Sequence, residues 1–199
     1  MRNPKTIILA SASPRRREIL RRTGLKFSVD ESSYEEADLP GLKPRALAEF
    51  HALHKARDVA RRHRNAIVLA ADTIIVLKGR RYGKPRDTAQ AAEMLKALSG
   101  KAHSVITGFA IIDTADSREL SGSVETKVFF RRLTKDEITA YVNSGEPLDK
   151  AGAYGIQGLG GVLVEKIEGD FSNVVGLPLS AVSEGLKKFG VSVLQVPAS

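Results

Sequence analysis

The 199-residue chain carries 31 Lys and Arg against 23 Asp and Glu, a formal charge of +8, with 42% hydrophobic residues and no cysteine. That excludes a disulfide framework, a thiol nucleophile and a cysteine zinc site, and favours anionic partners for an otherwise ordinary globular composition. The first residues lack the long apolar core of a signal peptide and no apolar run reaches membrane-spanning length, so a cytoplasmic protein with no membrane partner is expected.

Residues 6–10 are a short, Ile-rich apolar run suited to a buried strand. Ser13 then offers an N-cap and Pro14 the favoured first helical position, so a helix is expected over residues 14–23, closing at Gly24. Residues 27–30 read as a second strand and 31–43 as an acidic loop. Leu47, Phe50, Leu53, Ala56 and Val59 recur at helical spacing after Pro44 and predict a long helix that also carries His51, His54 and His63. AIVLAAD (66–72) and TIIVLKG (73–79) read as strands around a polar interruption, and YGKPRD (82–87) as a turn. Asp87 caps a helix to about Leu98, ended by Gly100. Residues 105–113 and 124–131 are β-rich. Thr134 and Glu137 form a T-x-x-E capping box that opens a helix ending near Gly145. The glycine-rich run 151–161 precedes a strand-like VLVEKI, and Pro178 opens a last helix to about Phe189. Helices alternate with strands throughout, so the class is α/β, read as a single domain over residues 1–199 with two lobes.

Several stretches are suited to chemistry. Arg15, Arg16 and Arg17 sit in the first turn of the first helix, where the helix dipole disfavours cations. With Ser11 and Ser13 beside them, N–H groups, hydroxyls and guanidinium forks would converge on a phosphate chain; a basic solvent-facing helix is the competing reading. Asp72 follows an apolar strand, a common place for a metal ligand or general base and equally for a turn-capping carboxylate; Thr73 beside it suits a ligand or the turn. Lys84, in the 82–87 turn, is either a point-charge clamp or a solvated lysine. The 152–161 run fits neither the Rossmann nor the P-loop pattern. Its glycines suit close approach of backbone to a ligand or simply a sharp turn, and Gln157 within it carries an amide able to read a base edge. Glu31, Glu35 and Glu36, with Asp72, could hold Mg²⁺ or Mn²⁺, or could belong to a solvated acidic loop. The histidines have no metal-ligand spacing, and the three on the long helix read as surface or interhelical groups.

In order along the chain, LASASPRR (9–16), HKA (54–56), AADTIIV (70–76), GKPRD (83–87), LSGKAHSVITG (98–108), GEPLDKAGAYGIQGLGG (145–161) and GDFSNVVGLPLS (169–180) together resemble the Maf proteins, which are nucleoside triphosphate pyrophosphatases. The resemblance implies a Maf/ITPase-like fold, a mixed twisted sheet flanked by helices in two lobes with a cleft between them. It also implies metal-assisted hydrolysis of a nucleoside triphosphate to monophosphate and pyrophosphate. By position, Asp72 matches the family's proton acceptor, and Ser11, Arg16, Lys55 and Lys84 its catalytic and phosphate-contacting residues. Asp72, Glu35 and Glu36 match its metal carboxylates.

Arg15, Thr73 and Gln157 match the three positions that separate substrate branches, and this set is similar to the branch acting on dTTP and UTP, with CTP and modified pyrimidine nucleotides as further candidates. The branch acting on 7-methyl-GTP typically has Trp, Gln and Glu there; this chain has no tryptophan. A homodimer is common in the family. The competing expectations are a nucleic-acid-binding protein, from the charge, and a cell-division regulator, a role linked to the family; the resemblance itself points to a nucleotide substrate and no nucleic acid. His54 stands before Lys55 where many relatives carry a polar or acidic residue, and it has no assigned role.

Overall fold

The computed structural model describes residues 5–37 and 39–194. In chain order the elements are β1 (Thr6–Leu9), α1 (Pro14–Arg21), β2 (Ser28–Val29), α2 (Pro44–Ala60), β3 (Ala66–Leu77), β4 (Arg80–Tyr82) and α3 (Thr88–Leu98). They continue with β5 (Ala102–Asp113), β6 (Arg118–Phe130), α4 (Lys135–Asn143), β7 (Val164–Glu168), α5 (Phe171–Val175) and α6 (Leu179–Lys187). The strands make one seven-stranded sheet in the order β2-β1-β3-β5-β6-β7, with β4 paired to β3. β1 runs parallel to β2 and β3, whereas β3–β4 and β6–β7 are antiparallel. The sheet is therefore mixed, as expected for this α/β chain.

The chain divides into two compact units. The first consists of the described residues of Met1–Asp72, Thr107–Val124 and Gly176–Ser199; the second is Thr73–Ile106 and Glu125–Val175. In the first unit, alternation along β3 puts Ala66, Val68 and Ala70 into a cluster with Ala52, Ala56 and Val59 of α2 and with Ala110 and Ile112 of β5. Small residues set this spacing: a Cβ at Gly108 would lie 2.2 Å from the carbonyl carbon of Ala48, so only glycine lets α2 lie so close to β5. The buried stripe of α2 is consequently Leu47, Ala48, His51, Ala52, Ala56 and Val59, while Phe50 and Leu53 of the expected stripe are half-buried. The core of the second unit gathers Leu95 and Leu98 of α3, Val128 and Phe130 of β6, Ile138, Tyr141 and Val142 of α4, and Tyr154.

Three local expectations change. The two strands read on either side of Asp72 are one strand, because β3 runs unbroken through that carboxylate. Its hairpin to β4 turns at Lys78 and Gly79, both at positive φ (49° and 77°). The glycine-rich run forms short 3₁₀ turns at Ala151–Ala153 and Gly158–Leu163. Finally, α2 stops at Ala60, so His63 lies beyond it, and a short helix, α5, precedes α6. No helix among the described residues is long and apolar enough to cross a membrane.

Candidate active site

The first turn of α1 is built as its sequence dictates. The Ser13 side chain accepts from Arg16 N–H at 3.4 Å, Pro14 occupies the start, and no acid lies in the first turn. Ser11 Oγ accepts from Ser13 N–H at 3.2 Å and from Arg16 Nη1 at 3.3 Å. Arg16 Nε donates to the carbonyl of Gly176 at 2.7 Å. The guanidinium is thus oriented from two sides, by a hydroxyl next to the helix start and by a backbone carbonyl distant in sequence. Arg15 stands beside it, partly exposed.

Strand parity decides where Asp72 points. Ala66, Val68 and Ala70 face α2, so Asp72, two residues further, faces the same helix. Lys55 of α2 meets it there, with Nζ 2.7 Å from Asp72 Oδ1 and 2.5 Å from Glu36 Oε1. Asp72 is 5% exposed. Burial alone would raise its carboxyl pKa; the Lys55 ammonium and then the Arg16 guanidinium outweigh burial and hold it below the usual carboxylate range, fully ionised. For Arg16 the order is reversed: burial lowers its pKa despite the opposing charges of Asp72 and Glu36. One carboxylate thus lies in the field of two cations, one from each neighbouring helix.

The acidic loop is not free. Asp58 of α2 accepts from Ser32 Oγ (2.9 Å) and Ser33 N–H (2.8 Å), and Arg62 binds Asp30 and the carbonyl of Glu31. His63 Nε2 lies 2.7 Å from Asp30, and Tyr34 OH lies 3.1 Å from His51 Nδ1. His51 is buried, contrary to its reading as a surface or interhelical group, because this strap covers it. The strap delivers Glu36 to Lys55, whereas Glu35 is exposed and takes part in no side-chain hydrogen bond or ion pair among the described residues. Asp72 and Glu36 therefore supply two hard oxygen donors, and no group of three or more metal-ligating side chains occurs among the described residues.

The remaining predicted residues belong to the second unit. Thr73 follows Asp72 on β3, and Lys84 lies in the turn after β4. The carbonyl of Gly83 accepts from Gly152 N–H at 2.9 Å, so the Lys84 turn is tied to the glycine-rich run that carries Gln157. Gln157 is half-buried, and its amide takes part in no hydrogen bond among the described residues. Arg17 lines a cavity of about 560 Å³ with Arg21, Leu25, Lys26, Phe27, Val29 and Glu31.

Much of the arginine excess is internally neutralised. Arg21 and Arg22 pair with Glu18, Arg57 with Glu119, and Arg62 with Asp30 and Asp58. These four arginines are thus held in ion pairs within the first unit. Sequence reasoning gave Gly176 no role; the only available signal was a glycine one residue before Leu177–Pro178, in the 169–180 motif.

Comparison with known proteins matches residues 6–189 to the family described as Maf-like protein. A dTTP/UTP pyrophosphatase of Moorella thermoacetica is 54% identical over 187 residues, covering 94% of this chain and 96% of that protein. Proteins of the same name from Acetivibrio thermocellus and Methanosarcina barkeri are 50% and 47% identical, over 95% and 96% of this chain and 98% of each relative.

Proposed function

The chain belongs to the Maf family, and on that basis we propose that it hydrolyses dTTP and UTP to the monophosphate and pyrophosphate, a cytoplasmic house-cleaning activity on the nucleotide pool. The observation that carries the reaction type is the ionised Asp72 held in the field of Lys55 and Arg16, with Ser11 at the same helix start. Near-full-length likeness to dTTP/UTP pyrophosphatases supports the substrate.

Water attacks the α-phosphorus, the bond from that phosphorus to the oxygen bridging to the β-phosphate breaks, and pyrophosphate departs with that oxygen. Arg16 and Lys55, with Lys84, neutralise the phosphate oxygens as charge shifts toward the leaving group. Asp72 accepts the proton of the attacking water. In the unliganded protein Lys55 depresses the basicity of Asp72. Once Lys55 turns to the triphosphate, Asp72 Oδ1 is released from its one hydrogen bond to a side chain and can meet the attacking water. Two carboxylates suit Mg²⁺ or Mn²⁺, which commonly take one or two from the protein and the rest from phosphate and water. Asp72 and Glu36 would hold such an ion, with Glu35 preceding Glu36 in the chain, and the ion would supply charge neutralisation at the phosphates.

Arg15, Thr73 and Gln157 are read as the substrate-selecting set: a neutral amide suits the paired carbonyl and imide N–H of thymine or uracil. Pyrophosphate release measured over dTTP, UTP, CTP and 7-methyl-GTP, with Mg²⁺ and with Mn²⁺, tests the proposal. Release from dTTP and UTP is expected. Preference for 7-methyl-GTP would overturn the selecting set, and no release from any triphosphate would overturn the function.

A further inference from the structure

The segment that carries Gln157 contains only short 3₁₀ turns, and its backbone is tied on both sides of Gln157 to two side chains, Tyr141 in the last turn of α4 and Glu146 just beyond that helix. Glu146 Oε1 accepts from Tyr141 OH at 2.9 Å and from Gly160 N–H at 3.1 Å, and Glu146 Oε2 accepts from Leu159 N–H at 3.1 Å. The Tyr141 oxygen in turn accepts from Gly155 N–H at 3.2 Å. The direction of this relay is fixed, since a carboxylate only accepts, so the phenol proton lies toward Glu146 and leaves the oxygen open to Gly155. Burial raises the Tyr141 pKa and keeps it a donor.

Local sequence builds this cradle. Gly145, at φ 76°, ends α4 in a left-handed turn, and Ser144 Oγ accepts from Glu146 N–H at 3.3 Å, which turns the Glu146 side chain back over the loop. The loop answers with glycines: a Cβ at Gly160 would lie 2.2 Å from the carbonyl oxygen of Gly155 and 2.6 Å from the Tyr141 hydroxyl. Gly158 has φ +79° and approaches Glu146 Oε2 so closely that a Cβ would sit at 3.0 Å. Between the two tied ends stands Gln157, with extended backbone and an amide that takes part in no hydrogen bond among the described residues.

We propose that Glu146, acting with Tyr141, is the positioning residue that fixes Gln157 for recognition of the pyrimidine base, so that base discrimination is set from the end of α4; this rests on the substrate reading above. The carboxylate charge is consumed by backbone N–H groups and the phenol, which leaves the neutral amide of Gln157 to meet the base. A loop pre-ordered in this way loses little conformational freedom on binding, and its effect belongs to affinity and selectivity rather than to the chemical step.

The test is Glu146→Gln in the full-length protein, which keeps the shape but turns one acceptor into a donor facing N–H groups. Kinetics with dTTP and 7-methyl-GTP should show kcat/KM for dTTP falling by about tenfold or more, mainly through KM, and the preference for dTTP shrinking. Tyr141→Phe, which removes the acceptor for Gly155 and one donor to Glu146 but leaves the Leu159 and Gly160 bonds in place, should act in the same direction and less strongly. In the wild-type protein the amides of Leu159 and Gly160 should be protected from hydrogen exchange; free exchange would overturn the cradle even if Glu146→Gln failed to fold. A folded Glu146→Gln protein with unchanged base preference, or with kcat lowered alike for every base, would also overturn it. If the wild-type protein hydrolysed neither dTTP nor UTP, the substrate reading would fail instead, and amide protection would still decide the cradle.

Discussion

Asp72 and Asp113 are both buried carboxylates on strands of the first unit, and both meet a lysine. Asp113 is locked. Lys5 pairs with its Oδ2, Arg118 Nη2 reaches the same oxygen at 3.3 Å, and Ala115 N–H donates to Oδ1 at 3.1 Å. Asp72 is held by one oxygen only: Lys55 takes Oδ1, while Oδ2 takes part in none of the hydrogen bonds among the described residues. Its lysine is also shared with Glu36, whose side chain is 52% exposed. Burial and an opposite charge are therefore common to a structural clamp and a candidate catalytic group. What separates them is whether the carboxylate keeps an open lone pair and a cation able to turn toward another anion.

The largest expected effect is on turnover. Asp72→Asn should lower dTTP hydrolysis roughly 10²-fold or more, with a stability loss smaller than that of Asp113→Asn because a single hydrogen bond holds Asp72, as measured by pyrophosphate release and urea unfolding side by side. Asp113→Asn should do the opposite: near-normal turnover, and a stability loss of about 3–5 kcal/mol in urea titration. The lower figure is favoured because Lys5 and Arg118 both reach solvent and can be rehydrated. A reversed pattern would break the distinction between the two carboxylates.

A buried titratable group with no opposite charge gives a third case. His103 Nε2 lies 2.8 Å from Tyr154 OH, its Nδ1 is buried with no partner among the described residues, and burial lowers the imidazole pKa to about 4. The unfolded chain takes up this proton near pH 6.5, whereas the native protein resists until about pH 4. The stability from a neutral His103 is therefore fully present above pH 6.5 and is lost as pH falls from there toward 4, by roughly 3 kcal/mol. Urea unfolding at pH 7 and pH 4 should show this loss reduced in His103→Gln. An unchanged acid sensitivity would mean that burial without an opposite charge does not govern this group.

The smallest effect sharpens the account of Asp72 itself. Its pKa is depressed, so the acid limb of kcat/KM for the wild-type protein should lie below the usual carboxylate range. Lys55→Met leaves burial in place and removes the first of the two cations that oppose it, so the limb should move to higher pH on top of any loss in rate. A limb that stayed in place would show that Lys55 does not set the protonation of Asp72.

The parts of this fold that could be read from sequence are those whose determinants lie within one turn. Ser13 caps α1 and Asp87 caps α3, and Thr134 and Glu137 close a reciprocal capping box on α4, because each bond joins residues three apart. The polar residue at 72 was misleading at this level. A carboxylate in an apolar run looks like a break, yet β3 continues through it because Lys55 satisfies the charge. The β4 hairpin was missed because its turn places a lysine at positive φ, where glycine or asparagine is the usual signal.

By itself the sequence determined the helix starts, the α/β alternation, the run of motifs that marks the family, and the residue types available for phosphate chemistry. Only the tertiary structure decided that Asp72 faces α2, that Lys55 joins it to Glu36 and not to Glu35, that the Gly176 carbonyl orients Arg16, and that Glu146 holds the Gln157 loop. Local hydrogen bonds are specified by neighbours along the chain. Pairings across many residues depend on strand parity and on a helix brought close by glycine and alanine, neither of which is fixed by neighbours along the chain.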